Sequence, residues 1–111
     1  MDRDIYDRKT ALKRIGNNEK LFDKYLNLSL QDIPVCLDKL KQASAVDNLK
    51  SVIIHAHSVK TMAATIGADM LRDVALELEN AGKACDTEHA RQLVSKVNYE
   101  FDRFRVFIAE I

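Results

Sequence analysis

Four stretches of this chain return an apolar residue at every third or fourth position, a spacing that fits little besides helices packed face to face. The second stretch reads Leu49, Val52, Ala56, Val59, Ala63 and Ile66. The first carries Phe22, Leu26, Leu30, Ile33, Leu37 and Leu40; the third Leu71, Val74, Ala75 and Leu78; the last Ala90, Val94, Val97, Phe101, Phe104 and Ile108. With three glycines and one proline in 111 residues, there are too few turn signals for a β-rich fold. The expectation is an all-α protein, and the length suits one domain, residues 1–111, around one core.

Capping residues place the breaks. Met1 to Tyr6 reads as loose or extended. Asp7 can cap a short helix that ends near Ile15, with Gly16 as its stop. Asn17 or Asn18 opens a long helix to about Gln42, with a kink at Pro34 and a break over Ala43 to Val46. Asp47 caps the third helix, which stops before Gly67. The fourth runs from Ala68 or Asp69 to Ala81 with Gly82 as its stop, and Asp86 or Thr87 caps the last. Short loops between long amphipathic helices give an antiparallel up-down four-helix bundle with a short N-terminal helix across one end.

Charge and cysteine content exclude several function classes. Seventeen basic and seventeen acidic residues cancel, so no global field draws in nucleic acid or an anionic membrane. No apolar run is long enough for a membrane span and the N-terminus lacks a signal-like pattern, so a cytoplasmic location without membrane insertion is expected. Cys36 and Cys85 are too few for a disulfide framework and read as reduced thiols.

On a helical wheel the third helix turns His57 about 130° away from the centre of its apolar seam. An imidazole on that side faces water, not the core. Lys60, three residues on, is a surface neighbour, and a cation there favours the neutral imidazole and can hold an anionic group. Ile53, Ile54 and Ala64 flank His57 outside the seam, and Leu12 and Ile15 of the first helix can join them as an apolar collar for a partner. His55 and His57 diverge by about 200° on a helix, so with His89 they make no metal site. No Gly-rich phosphate loop, nucleophile elbow or kinase signature is present.

His57, Lys60, the small Ala63 and Ala64, Gly67, Leu71 and the later Leu78–Glu79 together resemble the pattern of the histidine phosphotransfer (HPt) domains of multistep phosphorelays. More loosely, the resemblance extends from about Asp4 to the C-terminus. It implies that His57 accepts a phosphoryl group from a phospho-aspartate receiver domain of a hybrid sensor kinase and passes it to the receiver of a response regulator. Lys60 would steady the phosphoryl group, and Glu79 would bond the imidazole or face water. The chain would be a monomeric carrier without an ATP site or a cofactor of its own, the receiver bringing Mg²⁺ and carboxylates. Thr61 departs from the family pattern, which usually has Gly or another very small residue after the lysine. Its hydroxyl can bond back to the carbonyl of His57 and so clear the approach. Two alternatives share the fold: the substrate domain of a chemotaxis-type histidine kinase, and an adaptor that docks on a receiver without accepting phosphate.

Overall fold

The computed structural model describes residues 5–110, all of whose regular structure is helical. Among the described residues these helices follow in order: α1 (Arg8–Arg14), α2 (Glu19–Ala45), α3 (Leu49–Ile66), α4 (Asp69–Lys83) and α5 (Thr87–Glu110). The stripes seen in the sequence are the buried faces. Phe22, Ile33, Leu37 and Leu40 of α2 meet Val52, Ala56, Val59, Ala63 and Ile66 of α3 in one core, completed by Leu71, Val74, Ala75 and Leu78 of α4 and Ala90, Val94, Val97, Phe101 and Phe104 of α5. Helix α3 packs between α2 and α4, α5 packs on α4 and returns to α2, and α1 lies on α3. At about 1.5 Å per residue the 27-residue α2 spans roughly 40 Å, which is the long dimension of the molecule, 40 Å.

Side-chain caps start four of the helices: Asp7 accepts from the amide of Thr10, Asn18 from Leu21, Asn48 from Ser51, and Asp86 from His89. The cap of α3 is therefore Asn48 and not Asp47. Asp47 is instead a left-handed residue at φ 55°, and the amide of Asn48 bonds back to Ala43. Cys85 does the same for α4 at φ 58°, where Asp86 N–H reaches the carbonyl of Ala81. These two turns explain why the ends expected at about Gln42 and at Ala81 fall short. Helix α2 continues through the expected break to Ala45, because Ala43 is buried and the left-handed residue is an aspartate. Helix α4 continues past Gly82 to Lys83.

Gly82 does different work from the stop expected of it. A Cβ built there would lie 2.8 Å from Ile53 Cγ1 and 3.7 Å from the carbonyl oxygen of Leu49, so the missing side chain lets α4 close on the start of α3. Glu79 lies against His57 and Lys60, further along α3. Residue numbers thus fall on α3 as they rise on α4, and these two helices run antiparallel. Pro34 sits inside α2, which runs unbroken through it as the in-phase seam predicted.

The N-terminal segment is less loose than its sequence suggests. Met1 to Asp4 lie outside the described residues, but the Tyr6 ring packs edge-on against Phe104 at 5.3 Å between centroids and against Phe107 at 6.3 Å. Asp7 N–H then bonds the carbonyl of Gly67 at 2.7 Å, pinning the start of α1 to the end of α3. Gly67 is left-handed, φ 79°, and a Cβ there would come within 2.4 Å of the Asp7 carbonyl oxygen. Both the backbone conformation and the close approach require glycine. Gly67→Ala is expected to cost about 2 kcal/mol or more in denaturant-induced unfolding. A loss below about 0.5 kcal/mol would mean that the α1 contact carries little of the stability.

Candidate functional site

His57 lies near the middle of α3, on the side away from the buried row Val52, Ala56, Val59 and Ala63, and its side chain is 58% exposed. Glu79 projects from α4 beneath it. Its carboxylate is almost wholly buried, yet it has three cationic or ring partners: His57 Nδ1 at 3.0 Å from Oε2, Lys60 Nζ at 2.7 Å from Oε1, and Lys83 Nζ at 3.4 Å from Oε2. The hydrogen bond from Lys60 is the main reason the carboxyl is pulled from its ordinary 4.5 down to about 2. Burial opposes it, and the contacts with His57 and Lys83 assist.

This arrangement fixes the imidazole. An ionised carboxylate only accepts, so Nδ1 carries the hydrogen and donates it to Glu79, and in the neutral ring the lone pair is on Nε2. With Nδ1 committed to a buried partner and more than half of the side chain open, Nε2 is the nitrogen available to a reactant. The sequence had suggested an ammonium facing the imidazole directly. The structure turns Lys60 onto Glu79, so lysine and imidazole meet through a shared carboxylate. Of the two readings open for Glu79, the bonded one is correct. Lys83 was missed, although its position four residues after Glu79 on the same helix is a recognisable pairing distance.

The remaining site residues fall in different places. Thr61 is exposed one turn beyond His57, and its hydroxyl donates to the His57 carbonyl at 3.0 Å, the tucked rotamer expected. Ile54 is open to solvent at 55% exposure, whereas Ile53 is half-buried against Gly82. The carbonyl of Ala64 accepts from the Arg14 guanidinium at 2.9 Å. Ile15 is half-buried and lines a hollow that also contains Thr61. Leu12 is not part of an exposed collar: at 8% exposure it belongs to the core, because α1 lays Ala11 and Leu12 inward. Helix α2 was the element overlooked. Asp32 and Cys36 line the hollow at His57, a placement set by the α2–α3 register rather than by either sequence alone.

His55 is on a different face of α3, where burial and the neighbouring Lys39 lower its pKa from the ordinary 6.5. His89 is at the start of α5, its amide held by Asp86. Among the described residues no three His, Cys, Asp or Glu side chains are grouped as metal ligands, and no helix is long and apolar enough to cross a membrane.

Fold and site together define an all-helical protein that holds one open imidazole on a buried carboxylate. The Hpt domain model matches residues 24–106, and the chain belongs to that family. Among solved structures it is similar to the histidine-containing phosphotransfer protein B of Pseudomonas aeruginosa, with a TM-score of 0.84 and 22% identity over 96% of this chain and 93% of that one. It is also similar to the HPT domain of a sensor hybrid histidine kinase from Shewanella, with a TM-score of 0.76 and 14% identity over 97% of each chain. At these identities the likeness is one of fold. No curated protein matches the sequence. Family membership supports a phosphotransfer role in a multistep phosphorelay, as a phosphocarrier rather than a kinase.

The site sets an acid limit on stability. Because the folded pKa of Glu79 lies below the unfolded value, its ionisation stabilises the protein above about pH 4.5, and that contribution is lost as pH falls toward 2. The size is about 3 kcal/mol. Denaturant titrations between pH 7 and pH 2.5 are expected to show a smaller acid loss in Glu79→Gln than in the native chain. Equal losses would assign the transition to other carboxylates.

Proposed function

We propose that this chain is a phosphorelay intermediate in which His57 takes a phosphoryl group from the phospho-aspartate of one receiver domain and gives it to that of another. The observation that carries this reading is the bond from His57 Nδ1 to the ionised Glu79, which leaves Nε2 as the nucleophile. Its lone pair forms the N–P bond as the P–O bond to the aspartate breaks, and the released electron pair stays on the aspartate carboxylate. No proton has to leave. Nδ1–H remains on Glu79, whose negative charge faces the positive charge that the phosphorylated ring acquires. The second transfer is the reverse of the first, with a different aspartate.

Lys60, one turn from His57, would steady the phosphoryl oxygens while staying in reach of Glu79. The receivers, one from a hybrid sensor kinase and one from a response regulator, would supply Mg²⁺ and the acidic residues that hold it. The chain itself would act as one domain, a monomeric cytoplasmic carrier with neither cofactor nor ATP site. Its antiparallel four-helix bundle would present His57 midway along a rigid helix. Ile53, Ile54, Thr61, Ala64 and Ile15 would meet the receiver around the imidazole. Leu12, being buried, has no place in that contact.

Labelled phosphate from a phosphorylated receiver is expected on His57 alone, and His57→Gln should abolish uptake while circular dichroism stays unchanged. Label on His55 or His89 in that variant would refute the assignment. Lys60→Ala should slow transfer by about ten- to a hundredfold, the loss of roughly 1.5 to 3 kcal/mol of charge-assisted contact.

Thr61 gives a separate test. Since its hydroxyl is already tied to the His57 carbonyl, Thr61→Gly should change the transfer rate by less than about tenfold, beyond the ~1 kcal/mol of helix stability that an interior glycine costs. A much larger acceleration would make the native chain a hindered relay or an adaptor.

A further inference from the structure

Two open hollows between α2 and α3, about 450 and 510 Å³, share Asp32, Thr61 and Met62 and so form one continuous groove. One end reaches Ile15 and Tyr25, and the other reaches His57. The walls are mostly apolar or hydroxyl-bearing. No lysine or arginine lines either hollow, and Asp32 is the carboxylate common to both. Asp32 is exposed, and among the described residues no cation lies within ion-pair distance of it.

We propose that Asp32 is a specificity-determining contact of the docking groove, and that the receiver domain transferring phosphate with His57 covers it with a lysine or arginine. The inference rests on the relay reading of His57 and adds the charge of the partner surface. A partner that closes over the groove strips water from Asp32, and an unpaired carboxylate under an interface weakens binding unless a cation meets it. Receivers with an apolar or acidic side chain at that point are therefore rejected, which is selection by penalty as much as by attraction. The other plausible occupant, a second copy of this chain, fits poorly. A symmetric pairing through this groove would bring two such carboxylates into one interface whose walls contain no lysine or arginine.

The test uses the intact chain and Mg²⁺-loaded receiver domains of the hybrid sensor kinases and response regulators encoded in the same genome. Calorimetry measures docking, and transfer of labelled phosphate measures the relay. For the receiver that exchanges phosphate with His57, Asp32→Lys is expected to weaken docking at least about tenfold at low salt, with a smaller effect at high salt. Asp32→Asn should weaken it less. Reversing the charge of the facing receiver residue should restore affinity for Asp32→Lys. Because Asp32 is exposed, a thermal melt should show the variants folded. Unchanged docking of Asp32→Lys, with transfer still abolished by His57→Gln, overturns this inference and leaves the relay standing. A receiver that docks, loses affinity with Asp32→Lys and never phosphorylates His57 overturns the relay and keeps the groove as an adaptor surface. Docking of no receiver in the set overturns both; a native dimer in sedimentation that Asp32→Lys dissociates overturns this inference alone.

Discussion

The site depends on one buried carboxylate. Glu79 sits under α3 where a charge without partners would be costly, and it persists there because Lys60, His57 and Lys83 all reach it. The direction of dependence matters. The lysines make the carboxylate a permanent anion, pulling its pKa to about 2, and the permanent anion in turn dictates which imidazole nitrogen bears the hydrogen. A neutral glutamine in its place could present either an acceptor or a donor to Nδ1, and the ring would lose its single orientation. Stability and chemical readiness thus draw on the same contacts.

The fold serves this arrangement by fixing distances between helices. The imidazole and the first lysine come from α3, while the carboxylate and the second lysine come from α4. Helix α2 contributes the opposite wall, through Asp32 and Cys36. Three rigid helices therefore converge on one side chain. Helix α1 is pinned at the far end of α3 by the Asp7–Gly67 hydrogen bond and brings Ile15 and Arg14 to the same flank.

Local periodicity made the helices and their buried faces legible in the sequence, because each apolar stripe repeats within a single helix and needs no knowledge of its neighbours. His57 could be placed outside for the same reason. Contacts between helices were harder to foresee. Whether Glu79 turned inward, which cations it met, and which residues of α2 stood beside the imidazole all depend on register across a packing interface. Leu12 was misjudged because its amphipathic helix has seven residues, too few to define a face by itself. The ends of α2 and α4 were misjudged because Asp47 and Cys85 take the left-handed turn usually assigned to glycine. Gly82, which looked like such a turn, lies inside α4.

The placement of Gly82 reaches beyond packing. It is one helical turn beyond Glu79, at the point where the backbone of α4 comes down on Ile53. The thickness of the side chain at position 82 therefore gauges the gap that the Glu79 carboxylate must cross to reach the imidazole. A methyl group there would act as a shim, tilting α4 outward and lengthening the 3.0 Å and 2.7 Å contacts without touching any group at the site. The reach of the carboxylate, and with it the hold on the imidazole, is set in part by a residue with no chemistry of its own.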